Sequence, residues 1–247
     1  MNTIYPNLLI RKQQNKKSFA ILIDPDSTDE AALTEIVSLC NEAKVDFILV
    51  GGSLITNGYF EKCIETIKMN SSIPCIIFPG NSFQISKKSD AILLLSLISG
   101  RNPELLIGNH VLAASQLKRS ALEIIPTGYM LIDGGRTTSV SYMSNTVPIP
   151  ADKYAIAAST ALAGEMLGLK IIYMDAGSGA LYPVPSKLIT EVSKQITVPV
   201  FVGGGIKNTI QALEACHAGA DVIVVGNAIE KDTSLIKQLA QAIHSIG

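Results

Sequence analysis

Eight short, continuously apolar runs recur along the chain, and they limit its fold more than any other feature. They are Phe19–Asp24, Asp46–Gly51, Cys75–Pro79, Ala91–Ser96, Glu123–Asp133, Lys170–Asp175, Val198–Val202 and Asp221–Val225. A strand with one face in water alternates apolar and polar residues. A strand covered on both faces stays apolar throughout, as in a parallel sheet wrapped by helices. Helical spacing fills most of the intervals, including Thr28–Ala43, Pro103–Ser120, Ala151–Gly168 and Lys207–Gly219, and Lys231–Ile246 follows the eighth run. This order predicts an α/β fold, a (β/α)8 TIM barrel. The 247 residues agree with the ~250 typical of that barrel. No linker, low-complexity stretch or charge run divides them, so a single barrel domain over residues 1–247 is expected.

One unit departs from the pattern. Only Gly80–Asp90 separates the third run from the fourth, and a crossover helix with its loops needs at least ~10–12 residues. The segment also has poor helical periodicity. The spacing therefore predicts a modified barrel whose third helix is missing or replaced, with an apolar strip of barrel wall left uncovered. The alternative is that one strand has been split in two.

Charge narrows the function classes. Twenty Lys and Arg stand against twenty-one Asp and Glu, a formal charge of −1, so no basic excess exists to neutralise a nucleic-acid backbone. The four cysteines, Cys40, Cys63, Cys75 and Cys216, form no CxxC pair. They read as buried or half-buried free thiols of a reducing cytosol. The first residues have their short apolar stretch before the charges, the wrong order for a signal peptide. The longest apolar run, Ala91–Ile98, falls far short of the ~20 residues that span a bilayer. A soluble, cytoplasmic protein is expected.

In such barrels the chemistry sits at the C-terminal ends of the strands. The first strand ends in Asp24-Pro25-Asp26. Its carboxylates can hold Mg²⁺, a hard cation that favours oxygen ligands, with Asp24 the better candidate. Equally, Asp26, Ser27 or Thr28 can cap the following helix. After the second strand come Gly51-Gly52-Ser53, either a tight turn or, beside Asp24, half of a Mg²⁺–diphosphate site. After the sixth come Tyr173-Met174-Asp175-Ala176-Gly177-Ser178-Gly179. Asp175 can orient or deprotonate a hydroxyl, and Ser178 with the backbone around Gly177 and Gly179 can meet phosphate oxygens. The other reading there is a flexible connection. Gly203-Gly204-Gly205 after the seventh strand and Gly226-Asn227 after the eighth form the strongest physical signal. Glycines at these two positions, each leading into a short helix, make the usual phosphate site of this fold.

The long stretch Gly128–Pro150 holds Gly134-Gly135-Arg136. Loops of that length are usually functional, and Arg136 is either a phosphate contact or a surface charge. His110, His217 and His244 fall on separate predicted helices, which disfavours a histidine metal site or a Ser-His-Asp triad. Neither a Walker A motif nor a dinucleotide fingerprint is present.

The set FAILIDPD, ILVGGS, IPTGYMLIDGGRTTSVSYMSNTVPIP, YMDAGSGA, VPVFVGGGI and VVGNAIE resembles the geranylgeranylglyceryl phosphate synthases, a group that includes the bacterial heptaprenylglyceryl phosphate synthases. The likeness runs from Phe19 onward and is most distinctive over Pro126–Pro150. It implies a modified barrel with its third helix replaced. It also implies ether-bond formation between sn-glycerol 1-phosphate and a prenyl diphosphate, geranylgeranyl diphosphate foremost. Mg²⁺ is then expected at Asp24 and Ser53. Glycerol phosphate is expected along Tyr173, Met174, Asp175, Ala176, Gly177, Ser178 and Gly179, with Gly204, Gly205, Gly226 and Asn227 around its phosphate. Asp175 takes the catalytic position, where many relatives carry the longer Glu. The uncovered strip is the expected seat of the prenyl tail. The resemblance further implies a homo-oligomer, dimer or hexamer, and leaves loose membrane association open. A sugar-phosphate isomerase or cyclase with Asp24 and Asp133 as acid and base is the second reading, and a non-catalytic phosphate-binding subunit the third.

Overall fold

The computed structural model describes residues 3–246; Met1, Asn2 and Gly247, the ends of the expected domain, lie outside them. Eight parallel strands close into a barrel in sequence order. They are β1 (Ser18–Ile23), β2 (Phe47–Val50), β3 (Cys75–Ile77), β4 (Ala91–Leu97), β5 (Glu123–Leu131), β6 (Ile171–Asp175), β7 (Val200–Gly203) and β8 (Val222–Val225). β8 returns to β1, with Ser18 opposite Val222 and Ile21 opposite Val225. Each expected run is a strand, shifted by at most two residues at either end.

Successive side chains of a strand point to opposite faces, and the core divides accordingly. Phe19, Ile21 and Ile23 of β1 join an outer cluster between barrel and helices. Ala20 of β1, Leu49 of β2, Leu93 of β4, Tyr129 of β5 and Tyr173 of β6 fill the interior.

The helices are α1 (Ile4–Gln13), α2 (Glu30–Ala43), α3 (Phe60–Asn70), α4 (Asn109–Lys118), α5 (Ser139–Ser144), α6 (Tyr154–Met166), α7 (Ser186–Ser193), α8 (Thr209–Ala218), α9 (Asn227–Lys231) and α10 (Leu235–His244). α1 was not foreseen. Its Ile4 and Leu8 pack into the interior cluster, so it plugs the end of the barrel opposite the strands' C-termini. The Glu123 carboxylate accepts the Ile4 and Tyr5 N–H groups, both at 2.8 Å, and so caps the helix.

No helix joins β3 to β4. Residues 78–90 form turns, bends and irregular backbone, as the short interval predicted. Past β4, a π-helical turn at Glu104–Gly108 leads into α4, where the sequence suggested one continuous helix. All four cysteines are buried free thiols. Among the described residues no helix is long and apolar enough to cross a membrane.

Candidate active site

One cleft of about 1270 Å³ opens at the C-terminal ends of the strands, larger than the ~300–1,000 Å³ usual for small-molecule pockets. Its polar half is lined by Asp24, Ser53, Tyr173, Asp175, Gly177, Ser178, Gly179, Gly204, Gly205, Gly226 and Asn227. Its apolar half runs under the segment between β3 and β4, past Phe78, Ile85, Ile92, Leu94, Leu105, Ala113 and Leu117. The strip left by the missing helix is therefore a continuation of the polar site.

Asp175 ends β6 and is only 8% exposed. Its Oδ2 accepts the Tyr129 hydroxyl at 2.6 Å, and its Oδ1 accepts the Gly177 N–H at 2.7 Å. Tyr129 pairs with Tyr173 in the β5–β6 register, and Leu131 with Asp175. Burial raises the Asp175 carboxyl above its usual range, and the Tyr129 and Gly177 bonds partly oppose this. Burial, reinforced by the charge of Asp175, raises the Tyr129 phenol well above its own. The phenol is thus a lasting donor. Phe78 stacks on Tyr173 at 5.1 Å between centroids, and Tyr129 tilts against both rings, flooring the cleft with aromatic faces.

Glycine is required where the backbone crowds this carboxylate. Gly204 has φ +76°, and a Cβ there would lie 2.5 Å from Asp175 Oδ1 and 2.6 Å from the Gly177 nitrogen. The N–H groups of Gly179, Gly204 and Gly205 donate to no protein acceptor among the described residues. They can therefore turn to an anion. Ser178 Oγ donates to Asn227 Oδ1 at 2.8 Å, tying the loop after β6 to the start of α9. Met174 and Ala176 sit differently. Both side chains lie in the outer core, and the Ala176 N–H donates to the Gly203 carbonyl at 3.1 Å. Strand alternation turns them away from the cleft.

Asp24 stands just past β1 and is partly exposed. Its Oδ1 accepts the Asp26 N–H at 3.0 Å, and among the described residues no cation pairs with it. Burial raises its carboxyl, with the Asp26 N–H opposing and the Asp26 charge adding. A half-buried carboxylate without a counter-charge suits an oxygen-ligated cation. No group of three or more His, Cys, Asp or Glu able to hold a metal occurs among the described residues. Mg²⁺ tolerates such a sparse set, because it is commonly held by one or two carboxylates, substrate phosphates and water.

Neither Asp26, Ser27 nor Thr28 caps α2. Asp29 does, accepting the Ala32 N–H at 2.9 Å. Asp26 instead accepts from Thr56 and Asn57. Asp133 is exposed, accepts the Gly135 N–H at 2.9 Å and lines a separate depression. It does not share the cleft with Asp24, which removes the geometric basis of the acid–base pair considered for an isomerase. Arg136 is exposed at the cleft rim. His110 lines the apolar half, its Nε2 3.3 Å from Ser96 Oγ, while His244 pairs with Asp46 at 2.8 Å far from the site.

Comparisons with known proteins identify relatives of the chain. The chain is 53% identical over 244 residues to the geranylgeranylglyceryl phosphate synthase of Chitinophaga pinensis, covering 99% of this chain and 97% of that one. It is 43% identical over 227 residues to the Thermococcus kodakarensis synthase of the same name, covering 92% and 89%. Its fold matches (S)-3-O-geranylgeranylglyceryl phosphate synthase from Thermoplasma acidophilum, solved in complex with sn-glycerol-1-phosphate. That match has a TM-score of 0.93, 34% identity and full coverage of both chains. Thiamine phosphate pyrophosphorylase from Pyrococcus furiosus, at 13% identity and a TM-score of 0.60, shares the barrel alone. The PcrB family model matches residues 10–244, and with these relatives it establishes that the chain belongs to the PcrB family.

Proposed function

We propose that this protein is a Mg²⁺-dependent prenyltransferase of ether-lipid biosynthesis, one domain long. It joins the C3 hydroxyl of sn-glycerol 1-phosphate to a prenyl diphosphate, geranylgeranyl diphosphate foremost, and releases diphosphate. One observation carries the reading: a single cleft links a glycine-lined anion pocket and a buried carboxylate to a long apolar groove. A small phosphate and a lipid tail meet where Asp175 stands.

The glycerol phosphate sits with its phosphate against Gly204, Gly205, Gly226 and Asn227, and with Ser178 and Gly179 closing over it. Its C3 hydroxyl points at Asp175, which the Tyr129 and Gly177 bonds hold in one orientation. Such positioning lowers the entropic part of the barrier. As the C3 oxygen bonds to the allylic carbon, its proton passes to Asp175, and the carbon–oxygen bond to diphosphate breaks with both electrons leaving on the diphosphate. A carboxyl raised by burial is a stronger base than an exposed one. Asp24 and Ser53 would hold Mg²⁺, which when bound would supply charge to stabilise the departing diphosphate. The faces of Phe78, Tyr129 and Tyr173 exclude water from the reacting carbon.

The protein works in the cytoplasm, where its buried free thiols suit a reducing compartment. It works as a homo-oligomer, dimer or hexamer, and touches membranes only loosely. Exposed Leu54, Tyr142 and Met143 around the cleft support brief contact with a lipid surface.

The test is a product assay with Mg²⁺, sn-glycerol 1-phosphate or its 3-phosphate isomer, and prenyl diphosphates of several lengths in competition. A prenylglyceryl phosphate formed from the 1-phosphate and lost in Asp24→Asn is expected. Absence of ether product with every tail would sink the proposal. Tight glycerol phosphate binding without turnover would favour a non-catalytic binding subunit.

A further inference from the structure

The loop after β2 carries Ser53, and it has nothing regular to hold it. Residues 52–58 take part in no backbone–backbone hydrogen bond among the described residues. Yet Ser53 must stand at a fixed distance from Asp24 if the two share a cation. Two side chains from outside the loop grip it on either side of Ser53. Upstream, Gln84 is 4% exposed. Its Nε2 donates to the Gly52 carbonyl at 3.2 Å, and its Oε1 accepts the Gly80 N–H at 2.9 Å. Downstream, Asp26 accepts the Thr56 N–H at 2.7 Å, the Thr56 hydroxyl at 2.8 Å and the Asn57 N–H at 3.3 Å. Asn57 answers with its Nδ2 on the Pro25 carbonyl at 2.9 Å.

We infer that Asp26 and Gln84 are positioning residues for the metal pair, clamping the Ser53 loop against the strand end that bears Asp24. The inference rests on the metal reading given above and goes further, because it assigns a task to two residues that touch neither substrate. It also gives the segment replacing the helix a second task. Besides leaving the groove open, that segment delivers Gln84 across β3 to the loop of β2. Gly52 completes the joint, since a Cβ there would come within 2.9 Å of Asp24 Oδ2. The carboxylate therefore rests against the clamped loop. Backbone ladders, which usually fix a loop, are replaced here by side-chain bonds on either side of the ligand.

The experiment titrates Mn²⁺ as a paramagnetic probe, with inorganic diphosphate present, into the protein and four variants. A parallel titration follows sn-glycerol 1-phosphate binding. Outer partners of a metal ligand typically contribute ~10–100-fold to metal affinity. Asp26→Ala and Gln84→Met are therefore expected to weaken Mn²⁺ by about tenfold or more, with glycerol phosphate affinity unchanged. Thr56→Ser keeps the hydroxyl and should keep wild-type Mn²⁺ affinity. Asp26 is exposed, so its variant decides alone if Gln84→Met does not fold. Wild-type Mn²⁺ affinity in Asp26→Ala, with affinity lost in Asp24→Asn, overturns the clamp and spares the metal site. Unchanged Mn²⁺ affinity in Asp24→Asn overturns the metal reading, and the clamp with it.

Discussion

The Tyr129 hydroxyl donates to Asp175 Oδ2 at 2.6 Å, wholly inside the protein. A bond to the ionised form of an acid lowers its pKa, and burial raises it. Here burial dominates, and the phenol limits how far it goes. Tyr129→Phe removes that limit. The Asp175 carboxyl should rise further, so the acid limb of the kcat/KM profile should move to higher pH. The bond also holds the carboxylate in one orientation, and losing that positioning should lower the rate at neutral pH about tenfold or more. A pH–rate profile of the variant checks both. An unmoved acid limb would mean that Asp175 is not the titrating base.

Asp24 supplies a prediction about stability with a definite sign. Its folded carboxyl is raised above the unfolded value of 3.8. The native state therefore holds that proton more tightly. The stabilisation this gives is complete below the unfolded pKa and is lost as pH rises through the folded one. At neutral pH the ionised, unpaired carboxylate costs stability. Asp24→Asn keeps an acceptor for the Asp26 N–H and removes the charge. Without divalent metal, it should melt at the same temperature as wild type or higher at pH 7. That gain should vanish as pH falls below about 3.8. Thermal melts across pH test it, and a variant less stable at pH 7 would show that Asp24 has a stabilising partner.

The groove under residues 78–90 makes a third prediction. Ala113 of α4 is 6% exposed and lines the apolar half of the cleft. Phenylalanine there adds bulk to the apolar lining that Ala113 shares with Leu105 and Leu117. Ala113→Phe should shorten the longest tail accepted, lowering turnover of long prenyl diphosphates relative to short ones. KM for sn-glycerol 1-phosphate should stay constant. Product chain-length analysis under competition measures the ratio. An unchanged length distribution would move the tail elsewhere.

These tests depend unequally on what the sequence alone conveys. The strands were legible because parallel strands buried on both faces must be continuously apolar. The absent helix was legible because chain length is a hard limit. That Asp24, Ser53 and Asp175 line one cleft was legible because all three stand at strand ends, which this fold gathers at one face. Tyr129 was not, because it sits within an apolar run and its bond to Asp175 arises only from the β5–β6 register. Met174 and Ala176 were carried along with their motif, and strand alternation assigns both to the outer core. Asp133 and Asp24 looked alike as strand-end acids until the loop after β5 turned Asp133 to its own Gly135 N–H. Asp26 read as a helix cap, and only tertiary contact shows it holding Thr56. α1 escaped notice because two inward residues, Ile4 and Leu8, are too few to make a periodic signal.

The far end of the barrel tests whether stability and activity separate. Glu123 begins β5 at 6% exposure and accepts the Ile4 and Tyr5 N–H groups, each at 2.8 Å. The first N–H groups of a helix have no partner within it, and a buried donor left unpaired costs about 1–3 kcal/mol. Glu123→Ala strands two of them. It also weakens the hold of α1 on the barrel floor, where Leu8 is 2% exposed. The variant should lose about 2–6 kcal/mol of stability with KM for both substrates unchanged, since the site lies at the opposite end of the strands. Denaturant melts read the first effect and initial rates the second. Glu123→Gln keeps one acceptor and should fall between. A Glu123→Ala protein with intact stability would show that α1 is held by its apolar face alone.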